Sequence, residues 1–226
     1  MISTFQEGRF MRYILFFLVV LAASGAQADP AGPNQRDDVE PRILGPLIST
    51  GVDLKDERQL IAAMKSQDLS ISCGAAYALH KLPLTPLSKR ALLQAVDGSE
   101  PILAQHAAQS LHRLGDDSWT TSILGRIGGE EASIALSMAG LLAEAGNYQG
   151  WYLVEKHLAN GDIMLGRALE TAPSFAKMSE TLPGSVDVLA ILKRIAPELA
   201  PEYRQIAEFA VQSTERQYRQ IEGEKK

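Results

Sequence analysis

The sequence has one cysteine, Cys73, so an intramolecular disulfide is excluded. Its Ala-rich surroundings, Ser72-Cys73-Gly74-Ala75-Ala76, point to a small packed side chain rather than a reactive thiol. Aromatic residues make up only 6% of the chain while hydrophobic residues make up 46%, so the apolar content is mostly Ala, Leu and Ile. That mixture suits closely packed helices, because Ala and Leu are the strongest apolar helix formers. Basic residues are outnumbered, with a net charge of −5, which gives no global attraction to nucleic acid. Sustained period-two alternation is missing as well, so no sheet is expected.

The apolar run from Tyr13 to Ala23 is about eleven residues, too short to cross a bilayer of about 30 Å comfortably. It follows Arg9 and Arg12 and precedes Ala26-Gln27-Ala28, the pattern of a secretory signal peptide over residues 1–28 with cleavage after Ala28. The expected location is periplasmic or secreted, without stable membrane insertion once the signal is cut; a retained anchor is the alternative. Residues 29–55, rich in Pro, Gly and charge, read as a mobile leader.

Internal repetition sets the expected architecture. Gly74-Ala75-Ala76-Tyr77-Ala78-Leu79-His80-Lys81-Leu82 superposes on His106-Ala107-Ala108-Gln109-Ser110-Leu111-His112-Arg113-Leu114 at an offset of 32. A weaker copy, 31 residues further, keeps Leu142 under Leu111 and Gly146 under Gly115, and a fainter one runs through Arg167-Ala168-Leu169-Glu170. A period near 30 residues marks stacked units, none of which buries its apolar face alone. Each period divides into two helices. Thr85-Pro86 and Ser99-x-Pro101 open helices with a polar cap and an early proline, while Asp97-Gly98, Gly115, Gly128-Gly129, Gly146-Asn147 and Asn160-Gly161 end them.

The segment Asp97-Gly98-Ser99-Glu100-Pro101-Ile102-Leu103-Ala104-Gln105-His106-Ala107-Ala108-Gln109-Ser110-Leu111-His112-Arg113-Leu114-Gly115-Asp116 resembles the second half of a HEAT repeat, especially the phycobilisome-lyase-type subgroup. Its Ala-Ala, Leu and Leu-Gly-Asp positions match; Ile102-Leu103 stands where that family has Val-Arg. Gly146-Asn147-Tyr148 is also similar to the inter-helix turn of tetratricopeptide units, and ankyrin repeats share the period but open on a Thr-Pro-Leu-His that is missing here. The HEAT resemblance implies an all-α protein, a right-handed α-solenoid of stacked helix pairs over residues 56–172. A linker over 173–184 and C-terminal capping helices over 185–222 complete the expectation.

Catalytic chemistry finds little support. No Gly-x-Ser-x-Gly occurs, and Gly125-x-x-Gly128-Gly129 lacks a preceding strand and a phosphate-binding Lys. His80 and His112 occupy equivalent places without a set of further ligands, so neither a metal nor another cofactor is expected. Asp116-Asp117 and Glu130-Glu131 sit at helix starts, where negative charge complements the dipole. Trp119 and Trp151-Tyr152 read as packing residues, with a surface aromatic anchor as the alternative.

The expected function is therefore a non-enzymatic scaffold or adaptor that binds a protein or peptide and not nucleic acid. The alternative is a small-molecule carrier or enzyme using a cavity between the array and the C-terminal helices. In HEAT-like arrays the second helices line the concave face. Their non-core stripe takes in Tyr77 and His80, then Gln105, Gln109 and His112, then Gly140, then Arg167 and Glu170, with Ala108, Leu111 and Gly115 turned to the core. Back-folding of the helices after Gly184 over this stripe would fill it instead.

Overall fold

A computed structural model describes residues 34–179 and 181–224. The proposed signal peptide lies outside them. Among the described residues there are eleven α-helices and no strand, and no helix long and apolar enough to cross a membrane. The chain divides into two compact units, residues 1–95 and 96–226.

In the first unit, α1 (Asn34–Ile48) and α2 (Glu57–Ala63) each pack on α3 (Leu69–Leu79), and α4 (Pro86–Val96) begins after them. Asp56 starts α2 by accepting from the Arg58 and Gln59 amides at 2.9 and 3.1 Å, and Asp68 starts α3 through the Ser70 amide at 2.8 Å. Thr85 caps α4 by accepting from the Leu87 and Ser88 amides, both at 3.1 Å, with Pro86 as its first residue. The Thr85 hydroxyl also donates to the carboxylate of Glu57, 28 residues earlier at the start of α2.

Within the expected mobile leader over 29–55, residues 34–48 form α1 instead, and residues 29–33 lie outside the described residues. Pro41 and Pro46 each remove one helical hydrogen bond, yet Ile43, Leu44 and Leu47 form a stripe that is almost wholly buried. The α1 helix packs on α3 so closely that a Cβ on Gly74 would stand 2.8 Å from the Ile43 carbonyl oxygen. Burial of this stripe outweighs the two lost bonds.

The second unit contains α5 (Pro101–Arg113), α6 (Thr120–Arg126), α7 (Ala132–Glu144), α8 (Trp151–Asn160), α9 (Leu165–Thr171), α10 (Val188–Ile195) and α11 (Pro201–Glu224). Two of its turns are built alike. After α5, Gly115 adopts φ +75°, its amide donating to His112 O at 2.9 Å while the Asp116 amide reaches Leu111 O at 3.0 Å. After α7, Gly146 also has φ +75°, with Gly146 N to Ala143 O at 3.0 Å and Asn147 N to Leu142 O at 2.8 Å. Both are Schellman turns, whose left-handed residue favours glycine. Gly115 is exposed in this role and does not face the core as its repeat position suggested. Leu79, Leu111 and Leu142, at matching repeat positions, are all buried.

The expected linker is also part of the core. Residues Ala172–Met178 form a tight 3-10 segment after α9, and Phe175, Ala176, Met178 and Leu182 are buried. This segment packs on α7 and α11, and α11 lies along α9 and α10. Ala207, Ala210 and Thr214 make the buried stripe of α11, and the Tyr218 hydroxyl meets Ser179 Oγ at 2.6 Å.

Candidate functional site

The stripe expected on the second helices is not an open surface. Tyr77 is buried, and His80 packs edge-on to its ring at 4.6 Å. The Lys81 ammonium stands 5.8 Å from the Tyr77 ring centre and pairs with Glu40 of α1. Gln105 and Gln109 are buried. His112 is half-buried, its Nδ1 2.7 Å from Asp117 Oδ1 and its ring edge-on to Trp119. Gly140 faces the helices that follow: a Cβ there would lie 3.3 Å from Thr171 Cγ2. Arg167 and Glu170 form an ion pair at 3.0 Å on α9. In neither unit do these residues form an open face, because α1 covers α3 in the first while α9 and the Ala172–Met178 segment cover α7 in the second.

A second pattern is not evident from the sequence. His112 pairs with Asp117, and His157 with Asp162 at 2.8 Å, each across five residues at the exit of a helix. Asp162 also accepts from the Met164 amide at 2.9 Å. Burial raises the Asp162 carboxyl and the hydrogen bonds from His157 and Met164 more than offset it, so its pKa stays below the usual value. These pairs brace turns. Among the described residues, no group of three or more His, Cys, Asp or Glu side chains is placed to hold a metal ion.

The second unit instead presents a groove of about 700 Å³ on the side of its first helices. Its construction starts at Asn147, whose side chain accepts from the Gln149 amide at 2.9 Å and tightens Tyr148–Gly150 into a 3-10 turn. That turn lies directly on α7. A Cβ on Gly150 would come within 2.6 Å of the Ala139 Cβ, so only glycine allows this approach. The approach fixes the start of α8 and thereby separates its aromatics. Trp151 points into the core, 2% exposed and edge-on to Phe175 at 5.4 Å, while Tyr148 and Tyr152 stand out at 42% and 51% exposure.

The opposite wall comes from α6 and the Ile127–Gly129 turn, through Leu124, Gly125, Ile127 and Gly128. The Tyr152 hydroxyl lies 3.9 Å from the point where a Gly128 side chain would begin, an ordinary contact distance that brings the two walls side by side. Gln149 and Pro183 edge the groove, and Glu155, one helical turn beyond Trp151, is its one charged lining residue. The Trp151 indole N–H is shut off from water and has no hydrogen-bond partner among the described residues. The lining holds no Ser, Cys, His or Lys, the groups from which a nucleophile and its base are usually drawn. What it offers is aromatic faces, hydroxyl and amide groups that can donate or accept, and one anion.

No protein-family model matches the chain, and searches of the curated proteins and of the solved structures gave no match either.

Proposed function

We propose that this chain is an exported, non-catalytic scaffold of the HEAT-like α-solenoid type, which binds an extended peptide segment of a partner protein. Three features support the repeat reading. The buried Leu79, Leu111 and Leu142 recur at the repeat spacing, the Gly115 and Gly146 turns share one geometry, and side chains reach back about one repeat length, as Thr85 does to Glu57 across 28 residues. Such contacts between successive units are what a stacked array requires. Export rests on the Arg-flanked apolar run and Ala26-Gln27-Ala28.

The observation that carries the binding reading is the groove between Tyr148 and Tyr152. Its volume falls within the range of ligand sites, and exposed tyrosines supply rigid contact area at low entropic cost. Selection of random linear peptides displayed on phage tests it. Enriched peptides should bind the native protein and lose affinity on Tyr152→Ala, but not on substitution of Phe209, an exposed residue of α11. If no linear peptide depends on Tyr152 and native mass spectrometry shows a retained small molecule, the carrier alternative replaces this reading.

A further inference from the structure

We infer that Asn160 is a site of spontaneous deamidation, slowed in the folded chain by the glycine cap of α8 and by the His157–Asp162 pair.

The chain holds three asparagines, and only Asn160 precedes a glycine. In this reaction the Gly161 backbone nitrogen, after losing its proton, attacks the carbonyl carbon of the Asn160 side chain. The new N–C bond closes a five-membered succinimide, the bond to the side-chain nitrogen breaks, and that nitrogen leaves as ammonia after taking up a proton. Water then opens the ring at one carbonyl or the other, leaving aspartate or isoaspartate at position 160. Nothing is oxidised or reduced. Gly161 favours the attack because no Cβ crowds its nitrogen and its backbone turns freely.

Asn160 is the last residue of α8, and both it and Gly161 are exposed. The cap opposes the attack in two ways. The Gly161 N–H donates to His157 O at 3.1 Å, and the helical backbone at Asn160 turns that nitrogen away from the residue's own side chain. Asp162 then closes the turn from beyond, accepting from the Met164 amide at 2.9 Å with an oxygen 2.8 Å from the Nδ1 of buried His157. The last turn of α8 must therefore open before the ring can form, and terminal turns open at far less cost than the whole fold. Asn147 makes an internal comparison. Its side chain is held by the Gln149 amide at 2.9 Å, and the nitrogen that would attack belongs to the bulky Tyr148.

Conversion would also weaken the cap. A new carboxylate at the C-terminal end of α8 opposes the helix dipole and stands two residues from Asp162. Isoaspartate further lengthens the backbone within the turn.

The full chain is aged in mildly alkaline buffer, digested, and mapped by mass spectrometry with electron-transfer fragmentation, which distinguishes aspartate from isoaspartate. Conversion is expected at Asn160 and not at Asn147, at least about tenfold slower than in the same chain held in urea. Asp162→Ala removes the pair and leaves Asn160-Gly161 intact, and should speed folded-state conversion at least about threefold. If that variant fails to fold, His157→Gln weakens the same pair from its other side. Leu111→Ala, which weakens the core away from α8, should leave the rate unchanged because the opening is local. An intact Asn160 in folded chain after the urea sample has converted overturns the site. Equal rates in buffer and urea, or an equal rise in Leu111→Ala and Asp162→Ala, overturn the role of the cap.

Discussion

The Arg126 guanidinium reaches back about thirty residues, donating to the Val96 carbonyl at 2.7 Å and the Gly98 carbonyl at 2.9 Å. Its Nε donates to Glu130 at 2.7 Å, and both side chains are largely buried. One side chain therefore satisfies the end of α4 and positions the α6–α7 connection that forms one groove wall. Arg126→Met leaves Glu130 as a poorly solvated charge and the two carbonyls without this donor. The expected loss is roughly 3–5 kcal/mol by urea unfolding, and the double variant Arg126→Met, Glu130→Met should recover part of it. Equal losses in the single and double variants would show that the pair is not coupled.

Leu111 has no exposed surface and sits at the position shared with Leu79 and Leu142. Leu111→Ala should cost roughly 2–5 kcal/mol, the transfer of the lost methyl groups plus the cavity they leave. A change in the urea midpoint equivalent to less than about half a kcal/mol would mean that this part of the core is plastic enough to close around Ala.

Much of this frame is legible in the amino-acid sequence. Pro86 and Pro101 mark helix starts, Gly115 and Gly146 mark turns, and the repeated leucines mark the core. The α1 helix is hidden because Pro41 and Pro46 dominate a segment whose apolar stripe is only Ile43, Leu44 and Leu47. Pro173 disguises Ala172–Met178 in the same way, although Phe175 is fully buried there. The groove is illegible for a different reason. Trp151 and Tyr152 are adjacent in sequence, but neighbours on a helix point about 100° apart, so a shared packing role can hold for only one of them. The other wall comes from residues more than twenty positions away, and no periodicity links them. The stripe of second helices fails as a surface because solvent exposure depends on what later elements cover, and α9 with Ala172–Met178 covers α7.

Gly150→Ala tests the wall that carries the tyrosines. With Ala139 Cβ only 2.6 Å from the new methyl group, the Tyr148–Gly150 turn must lift off α7. The expected cost is roughly 1–3 kcal/mol, typical of overpacking, together with a changed near-ultraviolet spectrum from Trp151 and the tyrosines. Gly125→Ala, with nothing near its added methyl group, is the control and should leave that spectrum unchanged. If the two variants behave alike, the close crossing does not set the aromatic geometry.

Acid should destabilise the chain through His106. Burial first, and then the charge of Arg113, push its imidazole down from an ordinary 6.5 to about 4. Above pH 6.5 the folded and unfolded states both carry it neutral, and its contribution is complete. As pH falls, the unfolded chain takes up the proton first, so stability drops between about 6.5 and 4 and then levels off, by on the order of 3 kcal/mol in total. Glu144, at the end of α7, acts with the opposite sign. Removal from water pushes its carboxyl up to about 7, against the pull of His112 and Arg113, so its contribution is lost as pH rises from about 4.5 to 7. The Glu144 residue as a whole remains exposed, so solvent screening leaves a direction and no energy. Urea midpoints measured at pH 4.5, 5.5 and 7.5 separate the two groups. His106→Leu should flatten the acid loss, and Glu144→Gln should steepen it by removing the opposing slope. An acid loss of undiminished size in His106→Leu would place the responsible proton elsewhere in the fold.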